Sequence, residues 1–171
     1  MYAEPRPTRV PVMDERQSAS STSKPILIAY DGSDFAKAAV REAANLFRGV
    51  RKAVVVTVFE PFASIPFFGA AGLPVEQKTA EELLHALRAG AERTAAEGCE
   101  LARDGGLDAE PAVLEGTPVW EGIVNAAEEH DADLLVIGSR GLSGIKHVML
   151  GSVAAAVAQH SRRSVLICHQ R

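Results

Sequence analysis

The alternation of apolar runs with helical patterns constrains the fold of this chain more than any other feature. Five short runs rich in Val, Ile, Leu and Ala are spaced along the chain at 25–31, 53–61, 109–116, 132–139 and 164–169. Between them, apolar residues recur at helical spacing over 33–47, 75–104, 117–131 and 152–160. Strands that alternate with helices form parallel crossover units, with helices covering both faces of the sheet. The sequence therefore predicts an α/β fold: one domain with an open five-stranded parallel sheet, helices on both faces, of the Rossmann-like type.

Two of the predicted helices carry start signals. Ser33 or Asp34 can cap the helix over 33–47. Thr117 can cap the helix over 117–131, with Pro118 in its first turn. The apolar side chains of the first helix are expected to form its buried face; they are Phe35, Ala38, Ala39, Ala43, Leu46 and Phe47.

The first 24 residues differ from the rest of the chain. Proline is frequent near the start, and the stretch SASSTS is low in complexity. Such a segment cannot bury enough apolar surface to fold. We therefore predict a disordered N-terminal tail over 1–24 and a folded domain over 25–171. A regulatory or localisation role for the tail is the alternative to a plain flexible terminus.

Charge and cysteine content exclude several classes of protein. The formal net charge is −4, so the chain lacks the basic balance of a nucleic-acid binder or a polybasic membrane patch. Cys99 and Cys168 stand far apart without metal-ligand spacing. The N-terminus lacks the apolar region of a signal peptide, and no apolar stretch could span a bilayer. We predict a cytoplasmic protein that binds neither nucleic acid nor membrane.

The stretch after the fourth predicted strand, GSRGLSGIKHVMLGS, is rich in glycine. Its glycines are Gly138, Gly141, Gly144 and Gly151. Glycine lets a ligand approach the backbone, and the helix that opens at Ser152 favours an anion at its N-terminus. Arg140 and Lys146 add positive charge, although the pattern is not a Walker A motif. At the carboxyl end of a parallel strand, this pattern predicts a phosphate site. A glycine-rich turn before an ordinary N-cap is the alternative.

Asp31 follows the first predicted strand in the sequence YDGSD. Its carboxylate could accept hydrogen bonds from a sugar hydroxyl, as acidic residues do in nucleotide-binding folds. It could equally order the turn before Ser33. The sequence leaves both interpretations open.

The spacing of the glycines closely resembles the signature of the universal stress protein family. That signature is Gly, two residues, Gly, nine residues, then Gly with Ser or Thr, and here it falls on Gly138, Gly141 and Gly151-Ser152. The stretches ILIAYDGSDFAKAAV, VVVTVFEP, LEGTPVWEGIVNAAEEHDADLLVIGSRG and GSVAAAVAQHSRRSVLICH also resemble successive blocks of the family. The resemblance extends over 25–169. The full glycine signature resembles the ATP-binding branch of the family.

The resemblance implies a set of ATP-binding residues, with or without Mg. Ala29 would contribute a backbone contact, Asp31 would lie near the sugar, and the Val58 backbone would read the adenine edge. The glycine loop and the helix start would hold the phosphates and ribose; these residues are Gly138, Ser139, Arg140, Gly141, Leu142, Ser143, Gly144, Gly151, Ser152 and Val153.

The last predicted strand is an apolar sheet edge, with Val165 and Ile167 on one face and Leu166 and Cys168 on the other, and such an edge favours pairing with a second chain. The resemblance likewise implies a homodimer through this strand, and a role in stress response or signalling with an unidentified partner. The alternative is a monomer whose edge is guarded by charged and polar residues; these are Arg162, Arg163, His169 and Arg171.

Evidence for catalysis in the sequence is weak. His147 lies in the glycine-rich loop, where it could act as an acid or base or could face solvent. No local signature assembles a catalytic set, so we predict an ATP-binding protein whose stability or partners change with nucleotide occupancy. A slow ATPase and a dimeric interaction protein that does not bind nucleotide are the alternatives. The phenylalanines of the stretch 62–74 could pack on adenine, form a partner surface or pack on the long helix.

Overall fold

A computed structural model of the chain describes residues 23–47, 51–61, 77–116, 118–142 and 150–170. Its elements, in chain order, are β1 Ile26–Ala29, α1 Asp34–Phe47, β2 Lys52–Phe59, α2 Gln77–Asp104, β3 Asp108–Glu115, α3 Val119–Glu129, β4 Leu134–Gly138, α4 Ser152–His160 and β5 Ser164–Cys168. The predicted α/β fold is confirmed. The predicted tail over 1–24 falls almost entirely outside the described residues, so its boundary with the domain stays a prediction.

The five strands form one parallel sheet in the order β3-β2-β1-β4-β5. Ile26 lies beside Ala53 of β2 and beside Leu134 of β4, so β1 is at the centre of the sheet. Chain connections run outward from β1 in one direction and from β4 in the other. The point where the strand order reverses therefore lies between the carboxyl ends of β1 and β4, which is where open α/β sheets bind ligands.

Helices cover both faces of the sheet, and each face has its own apolar cluster. α1 and α2 pack on the face that includes Ile26, Ile28 and Val55, while α3 and α4 pack on the face that includes Leu27 and Leu135. These side chains are essentially inaccessible to solvent. Strands covered on both faces are expected to be apolar throughout, and this explains their lack of strict polar alternation.

The buried face of α1 differs in part from the prediction. Ala39 and Ala43 are buried as expected, but Leu46 is 55% exposed, whereas Val40 is fully buried. The stripe that faces β1 and β4 is therefore rotated toward Val40. Small alanines on this face let the helix axis approach the sheet closely, so the large Leu46 at the helix end is not needed in the core.

The start of α1 confirms one predicted cap. The Ser33 hydroxyl accepts a hydrogen bond from the Ala36 N–H at 3.1 Å, which satisfies a donor that the first helical turn leaves open. The prediction for α3 was wrong by one position. Pro118 is itself the N-cap, in extended conformation, rather than a residue of the first turn. Thr117, the predicted cap, lies outside the described residues.

Ion pairs join residues near the amino-terminal ends of β1, β2 and β4, at the end of the sheet opposite the switch point. Lys24 Nζ lies 2.7 Å from Asp131 Oδ1, and Arg51 pairs with Asp133. Asp131 just precedes β4, where it holds a left-handed φ of 49°. In the described part of the chain, no helix is long and apolar enough to cross a membrane.

Candidate functional site

A cavity of about 290 Å³ opens at the predicted switch point. Its size is near the lower end of the roughly 300–1,000 Å³ typical of small-molecule sites. The predicted site residues that line it are Ala29, Asp31, Val58, Gly138, Arg140, Gly141, Leu142, Gly151, Ser152 and Val153. Ser139 is fully buried beside it rather than in its lining. Ser143 and Gly144, together with Lys146 and His147, lie outside the described residues.

Asp31 joins the loop after β1 to the loop after β4. Its Oδ1 accepts a hydrogen bond from the Ser33 N–H at 3.0 Å, and its Oδ2 accepts one from the Leu142 N–H at 3.2 Å. The turn itself depends on Gly32, whose φ of 79° disfavours residues with a side chain. Asp31 therefore orders the turn before Ser33, which is one of the two roles that the sequence left open. Because a carboxylate oxygen can accept more than one hydrogen bond, this role leaves room for a further donor.

Two glycines of the loop are needed because other groups approach them closely. A Cβ on Gly138 would lie 2.7 Å from the Phe35 carbonyl at the start of α1. A Cβ on Gly141 would lie 2.8 Å from Asp31 Oδ2. The glycine spacing thus brings the end of β4 against α1 and the following loop against Asp31, which closes one wall of the cavity.

The N-terminus of α4 faces the cavity without a side-chain cap. Its N-cap is Gly151, whose own N–H donates to the Ser139 carbonyl at 2.8 Å. The next N–H groups, those of Ser152 and Val153, belong to the first turn of the helix and have no intrahelical acceptor. These groups and the helix dipole make this wall of the cavity favourable for an anion.

Arg140 is the cation in the described lining of the cavity, and it is held by an aromatic ring. Its guanidinium carbon lies 5.0 Å from the centroid of the Phe35 ring. Its Nε is buried with no hydrogen-bond partner among the described residues. The side chain therefore brings positive charge to the cavity from one wall, while its stacking on Phe35 fixes its position.

The end of β2 presents backbone groups to the cavity. Backbone N–H and C=O groups point alternately to the two sides of a strand. The Val56 carbonyl accepts from the Tyr30 N–H, on the side of β1, and the Phe59 carbonyl accepts from the Gly116 N–H, on the side of β3. The N–H and C=O of Val58 consequently face the β1 side, at a level where β1 has already ended.

Sequence reasoning missed the apolar lining of the cavity. These residues are Tyr30, Ala36, Val56, Val119, Ile123, Ile137 and Ala154. All of them also belong to the core or pack against it, so no separate signal distinguishes them in the sequence. Their position is a consequence of strand order and helix packing. They make the cavity largely apolar, with polar groups confined to its backbone and loop walls.

Tyr30 anchors the β1 end of the cavity floor. Its hydroxyl donates to Glu97 Oε1 at 3.0 Å, and Glu97 also pairs with Lys37 Nζ at 3.1 Å. Burial, followed by the hydrogen bond to the Glu97 carboxylate, raises the pKa of the Tyr30 hydroxyl above its usual range. The Lys37 and Tyr30 hydrogen bonds lower the pKa of Glu97. This network connects β1, α1 and α2 behind the cavity.

Comparison with known proteins identifies relatives over most of the chain. The Universal stress protein family matches residues 22–169. A universal stress protein of Thermus aquaticus is 37% identical over 150 residues, covering 84% of this chain and 97% of its own.

Two similar solved structures carry nucleotides. A universal stress protein in complex with cAMP has a TM-score of 0.61 and 29% identity, covering 87% of this chain and 98% of its own. One from Archaeoglobus fulgidus in complex with dAMP has a TM-score of 0.58 and 25% identity, covering 86% of this chain and 98% of its own.

Proposed function

Because the chain belongs to the universal stress protein family, we propose that it binds an adenine nucleotide, ATP, in the cavity between β1 and β4. The observation that carries this proposal is the meeting of three features in one cavity. They are the backbone edge of Val58, the carboxylate of Asp31 and the uncapped N-terminus of α4. We propose that occupancy of this cavity changes the stability or the partners of the protein in a stress response or in signalling.

The apolar end of the cavity suits a base. Val56, Val58 and Ile123 provide apolar surface against which a purine ring can pack. Adenine presents a donor, its amino group, beside an acceptor, its N1 atom. The C=O and N–H of Val58 offer the complementary acceptor and donor. The cAMP and dAMP complexes of the two relatives share adenine, which supports this placement of the base.

The opposite wall suits a sugar and phosphates. Asp31 can accept a hydrogen bond from a ribose hydroxyl while it retains the Ser33 and Leu142 N–H groups. The first N–H groups of α4, with the Ser152 hydroxyl, can donate to phosphate oxygens. We propose that the glycine-rich loop after β4 forms the rest of this wall, through Gly138, Ser139, Gly141, Ser143 and Gly144. ATP, with or without Mg, is thus the ligand that uses the whole cavity.

The proposal is tested by nucleotide binding and by a pair of charge variants. Protein purified without added ligand should contain adenine nucleotide, and ATP at about a hundred times Kd should stabilise the fold by about 2.7 kcal/mol. Gly151→Glu should abolish this stabilisation by ATP, because it places a carboxylate at the N-terminus of α4, where the phosphates are proposed to bind. Ala155→Glu places the same charge on an exposed position of α4, so it should bind ATP normally.

A folded wild-type protein with no ATP-dependent shift in melting temperature at millimolar ATP would refute the site. Phosphate release measured in the same samples tests the alternative of a slow ATPase.

An interaction through β5 is a second proposal, and it is supported by the position of that strand. β5 is at an edge of the described sheet, and Leu166 and Ile167 are only partly buried. The Cys168 carbonyl accepts from the Ser139 N–H on the β4 side, so alternation turns the N–H groups of Val165 and Ile167 outward. Exposed edges of this kind pair with other strands. We propose a homodimer in which two copies of β5 pair antiparallel about a two-fold axis.

Proline substitutions distinguish the role of the outward-facing edge of β5 from that of the edge that pairs with β4. Val165→Pro removes an outward donor and should dissociate the dimer in sedimentation experiments, whereas Val165→Ala should leave it intact. Leu166→Pro instead removes a donor that faces β4, so it should destabilise the fold itself. A dimer that survives Val165→Pro in a folded protein would place the interface elsewhere.

A further inference from the structure

Thr57 is a buried hydroxyl next to the base end of the cavity. It lies on β2 directly before Val58 and is 7% exposed. Its Oγ1 donates a hydrogen bond to the Tyr30 carbonyl at 2.9 Å. The surrounding positions 53–56 are apolar, so a valine here would fill the same volume. The hydroxyl therefore has a role that packing does not explain.

The hydrogen bond of Thr57 replaces the next bond of the β1–β2 ladder. Ala29 lies opposite Val56 in this parallel pair, and the Tyr30 N–H donates to the Val56 carbonyl at 2.9 Å. In a parallel ladder, a residue that donates to one residue accepts from the residue two positions further along the same neighbouring strand. The Tyr30 carbonyl is thus the acceptor that the Val58 N–H would take if the ladder continued. The strand β1 ends at Ala29 instead, and the Thr57 hydroxyl donates to that carbonyl.

We infer that Thr57 is a positioning residue for base recognition. By donating to the Tyr30 carbonyl, its hydroxyl ends the ladder and leaves the Val58 N–H available to the cavity beside the Val58 carbonyl. The inference rests on the proposed function, because it assigns base selectivity to the same site. A free N–H beside a free C=O matches adenine, whereas guanine presents a carbonyl and an N–H in the reverse order. Thr57 therefore selects adenine over guanine through Val58.

Two variants and two ligands separate this role from a purely structural one. Thr57→Val keeps the shape of the side chain but loses the donor, and Thr57→Ser keeps the donor. Calorimetric titration should show that Thr57→Val binds AMP about tenfold more weakly, since a single hydrogen bond in a desolvated site is lost. The preference of this variant for AMP over GMP should fall by the same factor of about ten. Binding of ribose 5-phosphate, which lacks the base, should be unchanged, and Thr57→Ser should resemble the wild type.

Amide exchange in the wild-type protein tests the inference independently of how well Thr57→Val folds. Without ligand, the Val58 N–H should exchange much faster than the Val56 N–H, which faces β1 within the ladder and serves as the internal control. AMP should slow exchange at Val58. Equal protection of the two amides without ligand would overturn the inference, and so would a folded Thr57→Val protein that discriminates AMP from GMP like the wild type. If the wild type binds no nucleotide, the proposed function fails, while the exchange of Val58 relative to Val56 still decides whether the Val58 N–H is free of the ladder.

Discussion

The same substitution at two glycines of α2 should have very different effects on stability. Replacing Gly by Ala inside a helix favours the helix by about 1 kcal/mol. A Cβ on Gly90 would meet only the end of the Arg93 side chain at 3.8 Å, so Gly90→Ala should stabilise the protein by that amount. A Cβ on Gly98 would lie 2.8 Å from the Tyr30 ring and 2.8 Å from Val55 Cγ1. Crowding of this kind in a packed core costs about 1–3 kcal/mol.

The difference between the two variants isolates the cost of crowding. Because the gain in helix propensity is common to both, Gly98→Ala should be less stable than Gly90→Ala by about 1–3 kcal/mol. Urea unfolding followed by circular dichroism measures this, with an unchanged m-value as the check on the unfolded state. Val55→Ala removes one of the crowded groups and should recover part of the loss in the Gly98→Ala background. Equal stability of the two glycine variants would refute the close packing of α2 on Tyr30.

Three further predictions concern charge, burial and the N-terminal residues. The hydrogen bonds with Lys37 and Tyr30 lower the pKa of Glu97, so they stabilise the fold at pH values above 4.5, the ordinary pKa of this carboxyl group. This stabilisation should be lost as the pH falls below 4.5 and through the lowered pKa. Glu97→Gln should therefore flatten the acid limb of a plot of melting temperature against pH. Burial raises the pKa of the Cys168 thiol to about 11, so stability linked to it should be lost between pH 9.0 and about 11, and alkylation of Cys168 at neutral pH should be far slower than in unfolded protein. Deletion of residues 1–24 removes the Lys24–Asp131 pair, which is exposed on both sides, so the melting temperature should change by no more than a degree or two; a larger loss would show that the tail packs on the domain.

The strand pattern could be predicted from the sequence because burial on both faces leaves a simple signal. Val165 and Ile167 were expected on one face of the last strand, with Leu166 and Cys168 on the other, and the two apolar clusters divide them in this way. The buried face of α1 was harder to predict. Several alanines around the helix allow more than one stripe, and only the packing against β4 selects Val40 over Leu46.

Thr57 could not be recognised from the sequence because its role depends on strand register. In the sequence it interrupts a run of valines as an ordinary β-branched residue. Only the pairing of Ala29 with Val56 places its hydroxyl at the Tyr30 carbonyl. The double role of Asp31 is hidden for the same reason, since Leu142 lies 111 residues away in the chain.

The glycine signature was detectable because the proposed site is built mainly from backbone. A ligand held by the Val58 edge and by the first N–H groups of α4 requires few particular side chains. Such a site requires strands that end at particular residues and chain segments that contact each other closely. Glycines at fixed spacing permit these close contacts, so they can be recognised in the sequence. Gly138 and Gly141 meet this need directly, because a side chain at either would collide with α1 or with Asp31. Side-chain chemistry then refines the site at a few positions. Substitutions at Gly138 should therefore disturb fold and binding together, whereas Thr57→Val should weaken AMP binding and the preference for AMP over GMP while leaving ribose 5-phosphate binding unchanged.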